Sequence, residues 1–543
     1  MITHFLSGFE TTVRRYGNMP AVSDYDGTLS LTFRELTAEM LRLGVLYEAL
    51  GLGKGDKIAV CGSNCVNWAL SFLSVVAYQG VVVSILPDFH PESVRALIRH
   101  SDAKLLIVSP KVWEGMKSSI PEGVKAVLSM KDFSLLAAAE AAVQESYDGW
   151  DSLYEKRCQG DFRPLEVSYS TDNLDELCLI NYTAGTTSDP KGVMLTYGNI
   201  SSNIQFGRDR IPLHGGCTVL SLLPLAHMFG LSFEFLYPLV SGAHVHFISR
   251  TPSVPRLLKI FADVKPYMVT SVPLIVEKIY KYTVAGKINR LGTRISRWIP
   301  GLGSFVRKKY RRQLLQAFGG RLEYLIVGGA ALPEKTEGGL HFLRFPYTVG
   351  YGMTECGPLI TYQDWHSFRM YSCGRVVDRM EIKTESPSPR RVPGEILVRG
   401  DNVMKGYYKN PSATKVVMTP DGWMRTGDMG IVDKKGNLFI VGCCKNMILG
   451  PSGQNIYPEE IEEKLNALPM VIESIVLQRQ GRLIALVYPD YENSEVPLDE
   501  LMEQHREKLN KALPYYSQIQ KIELVSGEFE KTPKHNIRRY LYR

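Results

Sequence analysis

Between Trp68 and Pro87 the chain reads WALSFLSVVAYQGVVVSILP, 20 residues without a formal charge. A run of that length has two solutions: a membrane span, or a segment enclosed by protein on every side. Gln79-Gly80 interrupts it, leaving a helix-like first half and a β-branched second half, VVVSI. The interruption favours a buried helix followed by a buried strand. A strand apolar on both faces belongs in a parallel sheet covered by helices, and this constrains everything packed around it.

The rest of the chain has the same texture. KIAVCG (57–62) and KLLIVS (104–109) read as strands, and SVRALIRHSDA (93–103) reads as an amphipathic helix between them. TVLSLLP (218–224), AHVHFIS (243–249), PYMVTSVP (266–273) and LEYLIVGG (322–329) read as further strands. After about residue 390 the pattern becomes short strands with glycine-rich turns: GEILVRG, GWMRTGD and GNLFIVG. A helix start at Tyr457-Pro458-Glu459-Glu460, a strand LIALVYP (483–489) and a helix over 498–512 close the chain. The expected fold class is α/β. Residues 1–444 form a large N-terminal domain with parallel sheets covered by helices plus a β-rich subdomain, and residues 445–543 form a small C-terminal α+β domain.

At 543 residues, 45% hydrophobic and 22% charged, this is the composition of a globular protein with more than one packing unit. A net charge of +7 permits anionic ligands, but no nucleic-acid partner is expected from it. The nine cysteines are scattered and lack CxxC pairs, which suits a reducing cytoplasm better than a disulfide framework or a zinc site. MITHFLSGFETTVRRYG carries Glu10 and no long apolar run, so it is not expected to be a signal peptide.

The most informative motif follows the strand-like ELCLINY: Tyr182-Thr183-Ala184-Gly185-Thr186-Thr187-Ser188-Asp189-Pro190-Lys191-Gly192. Small residues let backbone N–H groups approach phosphate oxygens closely. Threonine hydroxyls add donors and Lys191 adds a positive charge. The spacing is not that of a Walker loop. The run resembles the phosphate-loop signature of the adenylate-forming superfamily, which includes acyl-CoA synthetases, peptide-synthetase adenylation domains and luciferases. The family's usual serine is Ala184 here and a usual glycine is Ser188, both still small.

The resemblance recurs in order along nearly the whole chain. Leu223-Pro224-Leu225-Ala226-His227-Met228-Phe229-Gly230 is similar to a family segment whose histidine lies near the acyl site. Gly328-Gly329-Ala330-Ala331-Leu332-Pro333 and Tyr351-Gly352-Met353-Thr354-Glu355 are similar to the segments that line the adenine and acyl pocket. Trp423-Met424-Arg425-Thr426-Gly427-Asp428 matches the segment whose aspartate holds the ribose hydroxyls.

What the resemblance implies is an acid–thiol ligase. A carboxylate attacks the α-phosphorus of ATP and expels pyrophosphate, and a thiol, that of coenzyme A or of an acyl carrier protein, then displaces AMP. Lys191, His227, Thr354, Glu355 and Lys534 would carry the chemistry. Thr183, Ala184, Gly185, Thr186, Thr187, Gly329, Ala330, Tyr351, Gly352, Asp428, Cys443 and Lys445 would contact the nucleotide, and Thr186 and Glu355 would hold Mg²⁺. The C-terminal domain would be a mobile lid that rotates between the two half-reactions.

Two positions depart from the family pattern. Cys443 stands where an arginine usually bonds the ribose, and a thiol cannot make such charge-assisted bonds. In Lys531-Thr532-Pro533-Lys534-His535-Asn536-Ile537, Asn536 takes the place of the lysine that stabilises adenylation. A member that binds ATP or acyl-adenylate with little turnover therefore stays open as an alternative. Segments 271–280, 445–462 and 529–533 resemble the long-chain fatty acyl-CoA synthetase branch. The basic stretch 285–321, with Arg290, Arg294, Arg297, Arg307, Lys308, Lys309, Arg311, Arg312 and Arg321, reads either as a solvated helical insert or as a contact for an anionic membrane surface or coenzyme A phosphates. A cytoplasmic protein, peripheral at a membrane, is the corresponding expectation. His244 and His246 occupy alternate positions of one strand and are assigned no metal.

Overall fold

In the computed structural model the uncharged segment is a helix, Val66–Ala77, followed by a strand, Val81–Ile85. Gln79 separates them with a φ of 62°, and the Gly80 N–H turns back to the Val75 carbonyl at 2.9 Å. The strand is buried along its whole length. The structure describes residues 2–158, 167–183, 190–249, 252–288, 302–443, 446, 448–449, 455–479, 481–494, 497–513, 517–531 and 537–542. No helix among them is long and apolar enough to cross a membrane.

The described residues form two compact units. The first comprises the chain up to Thr183, Lys191–Glu381 and Arg399–Val416; the second is chiefly Ile382–Val398 and the chain from Val417 onward.

The first unit holds two large sheets. One has eight strands in the order Gly406–Tyr407, Lys191–Thr196, Leu177–Thr183, Val81–Ile85, Lys57–Cys61, Ala103–Val108, Ala126–Ser129 and Leu135–Ala138. Its five strands from Leu177–Thr183 to Ala126–Ser129 are parallel. The other has seven, in the order Tyr347–Val349, Tyr324–Val327, Met268–Ser271, Thr218–Ser221, His244–Phe247, Pro20–Asp24 and Ser30–Thr32, with only the last pair antiparallel. Helices seal the sheets with apolar faces. Val94, Leu97 and Ile98 of the helix Pro91–Ser101 pack with Ala59, Val83 and Leu106 of the strands. Each such large aliphatic side chain contributes about 1.5–3 kcal/mol by leaving water.

Two elements differ from their sequence expectation for visible reasons. The helix expected over 93–103 starts earlier, with Pro91 in its first turn, and stops at Ser101 because Asp102 is left-handed at φ 57°. The strand expected over 218–224 stops at Ser221. Beyond it the Leu223 N–H donates to the Glu234 carboxyl at 2.9 Å and the Leu225 N–H to Asn64 Oδ1 at 2.8 Å. Side chains take the groups that a neighbouring strand would otherwise use.

The second unit contains a four-stranded sheet in the order Met380–Glu385, Gly394–Gly400, Met424–Val432 and Leu438–Cys443. It also contains a three-stranded sheet of Val471–Arg479, Arg482–Pro489 and Lys521–Leu524. The helix Pro458–Asn466 starts on Tyr457-Pro458 as expected, with Glu459 and Glu460 in its first turn. It and the helix Leu498–Ala512 bury Ile461, Leu465, Met502 and Leu509 with Val476, Ala485 and Val487 of that sheet.

Candidate active site

Several of the motifs sit immediately beyond the carboxyl ends of parallel strands. Gly328 and Gly329 follow Tyr324–Val327, Tyr351 and Gly352 follow Tyr347–Val349, and His227 closes the loop after Thr218–Ser221. In open α/β sheets, that end is where crevices form and ligands bind.

The glycines are there for space and conformation. A Cβ on Gly328 would lie 2.9 Å from Cε1 of Phe229, so the glycine-rich loop and the His227 loop pack directly together. A Cβ on Gly352 would lie 2.1 Å from the Pro358 carbonyl oxygen, and Gly329 has a φ of +88°. Gly329 and Ala330 are exposed, while Tyr351 and Thr354 are buried.

Lys191 and Glu355 meet through one tyrosine. Lys191 opens the strand Lys191–Thr196, and its ammonium lies 4.9 Å from the ring centroid of Tyr407. The Tyr407 hydroxyl donates to Glu355 Oε1 at 2.9 Å, and the Met404 N–H donates to the Glu355 carbonyl at 2.8 Å. Burial, and then the adjoining Glu355 charge, push the Tyr407 phenol well above its usual range, so it remains a donor. Thr183 pairs with Lys191 across the two strands that flank the phosphate-loop motif, and the Tyr408 N–H donates to the Gly192 carbonyl at 2.7 Å.

A set of buried asparagines fixes the Thr354–Gly357 turn. Asn203 Nδ2 donates to the Cys356 carbonyl at 3.1 Å, and its Oδ1 accepts the Leu359 N–H at 2.9 Å. Asn199, one turn earlier on the same helix, donates to the Asp401 and Val403 carbonyls, beside Met404. These residues, with Asn64, Asn181, Glu234 and Tyr407, were not singled out from the sequence. Asn199 and Asn203 did leave a trace there, as two asparagines at i and i+4. Glu234 left a stronger one, a lone acid in the apolar run LSFEFLYPLV.

In the second unit Asp428 lies on the strand Met424–Val432, directly opposite Cys443 in register. Its N–H donates to the Thr426 hydroxyl oxygen at 3.1 Å, and Gly427 before it has a φ of +77°. Ala184, Gly185, Thr186, Thr187, Lys445, Lys534 and Asn536 lie outside the described residues, as does the Cys443 side chain.

The donor set available for Mg²⁺ suits that ion. No cluster of three or more His, Cys, Asp or Glu occurs among the described residues, and Glu355 offers hard carboxylate oxygens. Mg²⁺ commonly needs one or two carboxylates, with substrate phosphates and water completing its shell.

Glu234 has an electrostatic consequence that can be measured. It is fully buried, and burial raises its carboxyl from 4.5 to about 8 despite donors from Thr270, Leu223 and Ser221. The folded state therefore holds a proton that the unfolded chain releases. The associated stability is complete below pH 4.5 and is lost as the pH rises through about 8. Thermal midpoints measured across that window should fall less steeply in Glu234→Gln than in the parent. Parallel curves would contradict the assignment.

Residues 9–408 match the family described as AMP-binding enzyme. The long-chain-fatty-acid–CoA ligase FadD15 of Mycobacterium bovis is 28% identical over 458 residues, which cover 79% of this chain and 72% of that protein. The 4-coumarate–CoA ligase 2 of Oryza sativa subsp. japonica is 25% identical over 523 residues, 91% of this chain and 84% of that one. The fold is shared with the anthranilate CoA ligase AuaEII in complex with anthranoyl-AMP, at a TM-score of 0.80 and 19% identity over 100% of this chain and 97% of that one. With the family match extending over most of its length, the chain belongs to the AMP-binding enzymes.

Proposed function

We propose that this AMP-forming acid–thiol ligase activates a fatty acid, long-chain in preference to short, and passes the acyl group to coenzyme A. The observation that carries the activation chemistry is the Lys191–Tyr407–Glu355 cluster, in the same unit as the strand-end loops that bear Gly329, Tyr351 and Thr354. The choice of acid rests on likeness to the fatty-acid ligase above and to that branch in segments 271–280, 445–462 and 529–533.

In this reading the small residues Thr183 to Thr187 bring backbone N–H groups to the ATP phosphates, and Lys191 neutralises charge that shifts as pyrophosphate leaves. Thr354 contacts the α-phosphate, Tyr351 stacks on adenine, Gly329, Ala330 and Gly352 line the nucleotide pocket, and Asp428 receives the ribose hydroxyls. Glu355, with Thr186, holds Mg²⁺, which when bound supplies charge neutralisation to the phosphates. His227 borders the acyl group. Residues 445–543 act as the lid, and Lys445 and Lys534 bring charge to the nucleotide in turn.

The test is direct. The protein is incubated with ATP, Mg²⁺, coenzyme A and a panel of straight-chain acids of graded length, with 4-coumarate and anthranilate alongside. AMP, pyrophosphate and acyl-CoA are quantified by mass spectrometry. Highest turnover on long chains supports the proposal, and preference for an aryl acid overturns the substrate assignment. ATP binding without product from any acid overturns the ligase reading in favour of a nucleotide-binding protein, the alternative that Cys443 and Asn536 motivate. Adenylate formed but delivered only to an acyl carrier protein overturns the acceptor.

A long-chain acid also partitions into membranes, and the basic segment suits a peripheral contact there. Among its described residues, the adjoining helix Pro273–Tyr280 and the turn Lys281–Ala285, exposed Leu274, Tyr282 and Phe305 accompany exposed Lys278, Lys281, Lys287, Lys308, Lys309 and Arg312. Each basic side chain near an anionic surface contributes about 1 kcal/mol. Replacing Lys308, Lys309 and Arg312 together with glutamine should weaken binding to phosphatidylglycerol vesicles about 100-fold, as read by flotation at low salt. Binding equal to that of the parent would remove this contact.

A further inference from the structure

The chain after His227 makes one short helical turn, Met228–Gly230, and then widens into a π-helical turn, Leu231–Leu236. Such turns are rare and concentrate at functional sites. The two turns together reach three of the loops described above. Phe229 fills the space beside Gly328, and the Ser232 hydroxyl donates to the Gly357 carbonyl at 3.0 Å. Glu234 accepts the Leu223 N–H at 2.9 Å and the Ser221 hydroxyl at 3.1 Å on one oxygen, and the Thr270 hydroxyl at 2.6 Å on the other.

Two further buried side chains complete the hold. Asn64 Nδ2 donates to the Leu223 carbonyl at 2.7 Å while its Oδ1 takes the Leu225 N–H. Asn181 Nδ2 donates to the Ala226 carbonyl at 2.8 Å. Leu223, Leu225 and Ala226, the residues leading into His227, are thus each gripped by a buried polar side chain. Burying a carboxyl is costly, and an apolar residue at 234 would fill the space while leaving three donors unpaired. All three belong to the ends of the strands Thr218–Ser221 and Met268–Ser271 or to the loop beyond.

We infer that Glu234 is a positioning residue for acyl-adenylate formation, setting where His227 stands by tying its loop to the end of the strand Met268–Ser271. The inference rests on the role given to His227 above. Misplacement of a reacting group by about 1 Å costs on the order of 100-fold, whereas the phosphate-binding residues lie on other elements.

The experiment compares Glu234→Leu, Thr270→Val and His227→Ala in the full chain, using the acid that the panel identifies. The readouts are ATP–pyrophosphate exchange, ATP affinity and thermal midpoint. Glu234→Leu and Thr270→Val should bind ATP within about twofold of the parent and keep its KM for ATP, while kcat for exchange falls about 10–100-fold. If Glu234→Leu does not fold, Thr270→Val, which exchanges one hydroxyl for a methyl, decides alone. Exchange at the parental rate in the folded variants, beside an impaired His227→Ala, overturns the inference and leaves the site reading intact. Loss of ATP affinity in proportion to kcat also overturns it, since general damage does that. A silent His227→Ala overturns the role of His227, and this inference with it.

Discussion

Glu355→Gln should lower acyl-adenylate formation by about 10²–10³ while leaving the fold in place. Glutamine keeps a carbonyl oxygen that can accept the Tyr407 hydroxyl, now 2.9 Å from Glu355 Oε1, and it leaves the Met404 N–H bond to the 355 carbonyl untouched. What it removes is the negative charge proposed to hold Mg²⁺ against the nucleotide phosphates. Tyr407→Phe provides the complementary loss: the ring under Lys191 stays and the hydrogen bond to Glu355 goes. Its expected effect is smaller, about tenfold, because an uncompensated carboxylate can still find water. ATP–pyrophosphate exchange measures both variants, and thermal midpoints check that they are folded. Exchange by Glu355→Gln within about threefold of the parent would remove Glu355 from the chemistry.

Asn536→Lys should act in the opposite direction, raising the adenylation rate by about 10²–10³. The side chain at 536 is neutral where the resemblance implies a lysine for the adenylation transition state, and position 536 lies outside the described residues. A restored ammonium would add one charge-assisted bond to an anionic transition state, so the gain belongs to the first half-reaction alone. Thioester formation from preformed acyl-adenylate should be unchanged. Lys534→Ala in the parent background asks whether the lysine two residues earlier already supplies that charge. If Lys534→Ala is silent and Asn536→Lys accelerates, the parent adenylates without a lysine from this segment. If Asn536→Lys has no effect, the missing charge is not what limits the enzyme.

The elements most legible in the sequence were those whose signal is local. Val81–Ile85 is five β-branched or small residues buried on both faces, and no other element accommodates such a run so well. The helix Pro458–Asn466 begins where Pro458 and two acids suit a first turn. The glycines at 328 and 352 were visible as glycines, but their reason was not. It lies in Phe229, about a hundred residues from Gly328 in sequence, and in a carbonyl that doubles back from Pro358.

What remained hidden depended on distant partners. Nothing around Asn64 distinguishes it from any loop asparagine until Leu223 and Leu225, separated from it by 159 and 161 positions, come to lie beside it. The strand expected over 218–224 overran for the same reason. Leu222 and Leu223 are as apolar as the strand before them, and it is Asn64 and Glu234 that take the Leu223 backbone groups in place of the sheet. The π turn is equally unreadable, since Leu231–Leu236 is buried on every side and shows no period at all.

The sequence by itself determined the class of the fold and the chemical vocabulary of the site: apolar runs must be buried wherever they are, and a Gly/Thr-rich loop ending in Lys191 suits phosphate in any setting. The tertiary structure alone decided that Lys191 and Glu355 share Tyr407, and that buried side chains rather than a sheet hold the approach to His227. Hydrophobic burial is non-directional and can be read residue by residue. A buried hydrogen bond requires two particular groups at one distance, and the fold chooses which pairs meet.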